Sequence, residues 1–129
     1  MSDSSIDEKQ ITLLITLAKT YFEFKYDADK LENTARKQKL KQLPFMAIIA
    51  RQGQEDKEYQ INKILATLND QALNELSFAI QEIKANAQIR IDSIHKGRTQ
   101  NNAGATLVAC DFLLNKCTQI SPSNQPINE

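Results

Sequence analysis

The single histidine, His95, stands close in the chain to Asp92 and Ser93, the three residue types of a nucleophilic triad. Triad chemistry needs side chains that converge on one reacting atom. On a helix Asp92 and Ser93 project about 100° apart, so the spacing argues against convergence. His95 reads instead as a solvated residue in the last turn of a helix, where a cation suits the dipole. One histidine also excludes a multi-histidine metal site. A di-metal centre in a helical bundle wants E-x-x-H on two facing helices, and position 92 holds aspartate. Glu23 and Asp27 form an i, i+4 carboxylate pair with no histidine to complete it.

The thiols give no more. Cys110 and Cys117 are seven residues apart, which on a helix places their Cα atoms about 10.5 Å apart on one face. A disulfide tolerates less than about 7 Å, and C-x₆-C does not match the short zinc-ligand spacings. Both read as buried, reduced thiols, in keeping with a reducing cytosol. Glycine-rich phosphate loops, H-E-x-x-H and the nucleophile elbow are all absent from the sequence. The expectation is a protein that is not an enzyme and needs no metal or cofactor.

Charge placement is more informative. The chain carries 16 Lys plus Arg and 16 Asp plus Glu, so its net charge is zero. A balanced chain has no global pull towards nucleic acid or an anionic membrane. The charges nevertheless lie in blocks. Residues 33–54 hold Arg36, Lys37, Lys39, Lys41 and Arg51 with no acid, whereas residues 55–82 hold six acids against two bases. Arg36, Lys37, Lys39, Lys41 and Arg51, joined by Lys96 and Arg98, make the candidate nucleic-acid contacts. Two features weigh against that reading. The cations span a wide arc of helix, and few aromatics accompany them to stack bases. A third reading pairs the basic block with the acidic one, inside the fold or across a subunit boundary.

The remaining lead is apolar. Tyr21, Phe22, Phe24 and Tyr26 cluster within one and a half turns, and aromatics anchor protein interfaces. With Lys37 and Lys41 as rim charge, these four form the candidate protein-binding surface.

The elements that must position these residues follow from breakers and periodicity. Prolines stand at 44, 122 and 126 and glycines at 53, 97 and 104. Between about Ile6 and Leu43, Leu14, Leu17, Tyr21, Phe24, Ala28, Leu31 and Ala35 recur at spacings of three and four, which predicts a long helix capped by Ser4 or Ser5. A kink at Asp27–Asp29 is left open. Pro44 starts a short helix over Phe45–Arg51, ended by Gln52-Gly53. A third helix begins near Glu55, with Ile61, Ile64, Leu65 and Leu68 on one face, and Asn69-Asp70 is a turn and cap signal.

The segment Gln71–Lys96 carries a seam of Leu73, Leu76, Ile80, Ile83, Ala87, Arg90 and Ile94, closed by His95-Lys96-Gly97. Arg98–Asn102 reads as a polar linker. A last helix places Ala103, Leu107, Cys110, Leu114 and Cys117 on one face, and residues 121–129 read as a disordered tail.

At 129 residues, 41% apolar and 25% charged, the chain fits one domain with one core. Residues 1–120 form that domain and 121–129 the tail. The N-terminus lacks the basic region of a secretory signal. The most apolar stretch, Ile11–Ala18, falls far short of the roughly 20 residues a bilayer span needs. The prediction is an all-α, single-domain bundle of four or five mostly antiparallel helices. Its expected role is a cytosolic adaptor, chaperone-like subunit or inhibitor that binds another protein, forms a homodimer and avoids membranes. A nucleic-acid accessory protein is the alternative.

Overall fold

A computed structural model describes residues 6–93 and 98–120, and among them the only regular elements are four helices. These are α1 (Glu8–Lys37), α2 (Phe45–Ala66), α3 (Asp70–Ser93) and α4 (Arg98–Ile120). All four meet in one core of Leu14, Leu17, Ala18, Ile61, Leu65, Leu73, Leu76, Ile80, Ala109, Cys110, Leu113 and Cys117. Each fully buried leucine or isoleucine there contributes about 1.5–3 kcal/mol. α1 packs along α2 and α4, while α3 packs mainly on α4. The Ile6 N–H donates to Glu75 Oε1 at 3.1 Å and ties the start of the chain to α3.

α1 begins one step later than the serines suggest. Asp7 is its N-cap and accepts from Lys9 N–H, and the Gln10 side chain returns a bond to the cap's own N–H. This reciprocal capping box satisfies two otherwise orphaned donors. Ser4 and Ser5 lie outside the described residues. The helix runs unbroken through Asp27–Asp29, because Ala28 is buried while both aspartates face out.

α1 stops at Lys37, six residues short of the expected Leu43. Residues 36–43 are all exposed, so no buried face pays for continued helix there. Its end is a Schellman turn: Leu40 N–H bonds Ala35 C=O at 3.0 Å and Lys39 N–H bonds Arg36 C=O at 3.1 Å. Lys39 occupies the left-handed position, at φ 57°, that glycine usually takes.

The largest correction is at Gly53. It does not end a helix; Phe45–Ala66 is continuous through it. A Cβ on Gly53 would lie 2.7 Å from the Phe24 ring, so this glycine is where α1 presses an aromatic against the backbone of α2. The two short helices of the sequence reading are therefore one. Pro44 sits at its N-cap, and its C=O accepts from Ala47 N–H and Ile48 N–H.

Asn69 caps α3 through a 2.8 Å bond from Ala72 N–H to its side chain. The polar stretch 98–102 is helical and not a linker. The stretch carries no apolar residue, so periodicity is silent there. The proposed stop at His95-Lys96-Gly97 and the tail 121–129 lie outside the described residues. No described helix is long and apolar enough to cross a membrane.

Candidate functional site

Of the four clustered aromatics, two turn into the molecule. Tyr21 is only 8% exposed and stacks on Phe112 with centroids 4.6 Å apart. Phe22 meets both rings edge-on, at 4.9 and 5.3 Å. The Tyr21 hydroxyl accepts from Gln54 Nε2 at 3.2 Å, and Lys116 lies over the Phe112 ring at 5.3 Å. Phe24 packs on Gly53 and is half-buried. Only Tyr26, at 67% exposure, faces mainly solvent. It stands beside a shallow groove floored by Gly104, Ala105 and Val108 of α4.

The surface with the most unused apolar area lies instead where α1 hands over to α2. Its cause is local. The first turns of α2 read Phe45-Met46-Ala47-Ile48-Ile49-Ala50, and the two alanines are the residues turned inward. On α1, Ala28 and Ala35 are likewise buried. Alanines are thus the buried residues at this end, and the bulky neighbours of α2 stay outside. Phe45 is 73% exposed and Met46 62%, and Leu40, Leu43, Ile48 and Ile49 are exposed beside them. Phe24, Leu31, Met46, Ile49 and Ala50 line a groove of about 310 Å³ between the helices, with Asp27 and Lys30 at its edge.

Cations surround this tip. Arg36, Lys37, Lys39 and Lys41 are all exposed, and none takes part in the ion pairs among the described residues. Arg51 behaves differently. Its guanidinium reaches Glu32 at 2.7 and 3.2 Å and Asp29 at 2.9 Å, and it also donates to the Gln54 side chain. The bonds to Glu32 and then to Asp29 raise its pKa further above the ordinary arginine value. Lys25 first, and then Arg51, hold the Asp29 carboxyl below its usual range. Arg51 is thus a clamp between α1 and α2, separate from the other four cations. Lys96 lies outside the described residues, and Arg98 opens α4.

The catalytic leads stay dispersed. Asp92 is exposed and accepts from Gln88 Nε2 at 3.0 Å. Both cysteines are free and buried, and burial pushes both thiols up, away from the reactive thiolate form. Among the described residues no group of three or more His, Cys, Asp or Glu side chains could hold a metal ion.

Sequence reasoning picked Lys37 and Lys41 at this tip but passed over Leu40, Leu43, Phe45, Met46, Ile48 and Ile49. A signal was present. A six-residue stretch that is apolar on every face cannot bury all of them against one neighbouring helix. No family model, no curated protein and no solved structure matches the chain.

Proposed function

We propose that this protein is a non-enzymatic helical interaction module, a cytosolic adaptor, chaperone-like subunit or inhibitor, that docks on another protein through the α1–α2 tip. One observation carries the reading: six large apolar side chains crowd the tip while an alanine seam does the packing beneath them. Monomeric proteins rarely leave contiguous apolar surface of this kind without a use for it. Arg36, Lys37, Lys39 and Lys41 then act as rim charge, selecting a partner with acidic residues around an apolar centre. Phe24 borders the docking surface, whereas Tyr21 and Phe22 pack on Phe112 of α4. Successive helices run antiparallel in this reading. Gln10 lies near Ile64, Tyr21 near Gln54 and Glu32 near Arg51, so the tip is the far end of a helical hairpin.

The test is a photo-reactive residue at Phe45 in the native cell, with one at exposed Tyr59 as control. A discrete cross-linked protein from position 45, absent from position 59 and lost when Met46→Asp is added, is the expected outcome. Identical patterns from the two positions would contradict the proposal.

The four exposed tip cations keep a nucleic-acid reading in view. It requires an affinity that falls steeply with salt and is lost on Lys37→Glu plus Lys41→Glu. A binding curve that is flat at low salt removes it.

A further inference from the structure

Among the described residues no ion pair engages the four tip cations, and a surface of opposite character lies elsewhere on the chain. Along the outer side of α3, Phe78, Glu82, Ala85, Ile89 and Asp92 follow one another at spacings of four, three, four and three, so they form one stripe. All five are exposed; Phe78, a phenylalanine in mid-helix, is 63% so. Glu82 stands one turn beyond Phe78, and Asp92 closes the far end. The two cations of α3 lie off this line. Lys84 is paired with Asp111 of α4, and Arg90 projects to the side, about 100° from Ile89. The stripe is therefore apolar with acidic punctuation, as the tip is apolar with basic punctuation.

Two of the acids near the tip are engaged with another partner, while Asp27 stands exposed at the groove edge. Asp29 and Glu32 hold Arg51. Arg36, Lys37, Lys39 and Lys41 thus stay exposed and outside the ion pairs among the described residues.

We infer that the occupant of the tip is a second copy of this chain, with Phe45 and Met46 laid against Phe78 and Ile89 of α3 and Lys37 and Lys41 facing Glu82 and Asp92. The inference rests on the reading of the tip as a docking surface and names its partner. The contact joins two different surfaces. In a twofold pair it is made twice, and in an open arrangement it repeats from copy to copy. Apolar burial supplies the affinity, while the opposed charges set the register and reject the tip-to-tip alternative.

Sedimentation of the full chain over a wide concentration range tests it through two variants. One carries Lys37→Glu and Lys41→Glu at the tip; the other carries Glu82→Lys and Asp92→Lys on α3. All four positions are exposed, and circular dichroism verifies that both variants fold. Wild type associates as concentration rises, and each variant alone associates about 10-fold more weakly or worse, since like charges then face each other. An equimolar mixture of the two recovers wild-type association to within about threefold, because each tip again meets an opposite stripe. Phe78→Ser gives an independent loss of similar size.

A wild-type chain that stays monomeric overturns the inference, as does a mixture no stronger than its components. Binding of monomeric protein to vesicles of phosphatidylserine and phosphatidylcholine also overturns it, in favour of a lipid surface. Failure here is distinguishable from failure of the docking role. A monomeric chain that still cross-links through position 45 to a different protein keeps the module and loses only the second copy.

Discussion

The two ends of the α1–α2 pair are built from opposite choices of side chain. Near the chain start, Leu14 and Leu17 face Ile61 and Leu65, and α3 and α4 close over them with Leu76, Ile80 and Leu113. At the other end Ala28, Ala35, Ala47 and Ala50 fill the seam, and the bulky residues lie on the outside. The first end converts its apolar area into stability. The second holds its helices together with small residues and a polar clamp, Arg51 on Asp29 and Glu32. The difference teaches that apolar content alone does not locate a core: which residues of a helix face its neighbour decides whether oily side chains stabilise the fold or stay on the surface.

Paired truncations should break or sharpen that contrast most visibly. Leu113→Ala, in the four-helix end, is expected to cost about 2–5 kcal/mol in urea unfolding. Phe45→Ala at the tip, measured at concentrations where the chain is monomeric, is expected to stay within about 0.5 kcal/mol of wild type. Equal losses would erase the distinction between the two ends.

Gly53→Ala probes the boundary between them. Alanine gains up to about 1 kcal/mol of helix propensity, but its Cβ meets the Phe24 ring, and overpacking costs about 1–3 kcal/mol. A net loss is expected. Phe24→Ala placed in the same chain should turn Gly53→Ala from destabilising to stabilising; if it does not, the ring contact is not the reason for the glycine.

Lys39→Gly should act in the other direction. The left-handed backbone costs a lysine more than a glycine, so a gain of about 0.5–1 kcal/mol is expected in thermal or urea unfolding. Association through the tip should weaken at the same time, because a rim cation is lost. A stabilised variant that associates better would speak against a role for the lysine in docking.

The smallest effect concerns pH. Asp29 has its pKa depressed in the folded chain, so its contribution is fully present above the ordinary aspartate value of about 3.9 and is lost as pH falls through the lower, folded value. Arg51→Met removes one of its two cationic partners. The expected result is a shallower acid-side loss of stability than in wild type, read from urea midpoints at successive pH values. A steeper loss would place the clamp's contribution elsewhere.

Much of the helical frame was legible in the residues. The spacing of Leu14, Leu17, Tyr21, Ala28 and Ala35 gave the buried face of α1, and the seam Leu73, Leu76, Ile80, Ala87 gave that of α3. Both depend on a period that any packed helix must obey. The boundaries were less legible, for different reasons at each. Gly53 looks like a stop because its use as a close-approach point depends on Phe24, nearly thirty residues away in the chain. Residues 98–102 carry no apolar residue, so periodicity had nothing to read there. At the tip, composition revealed that 45–50 is apolar, but which of its residues turn inward depends on the alanines of α1, and that is a property of the pair.

Side-chain oxidation footprinting of Met46, with Tyr59 as an exposed reference, tests most directly whether the tip is kept for a partner. Dilute, isolated chain should show Met46 oxidising freely, and chain in its associated state, at high concentration or in native extract, should show it strongly protected while Tyr59 is unchanged. Equal oxidation of Met46 in both states would contradict the account.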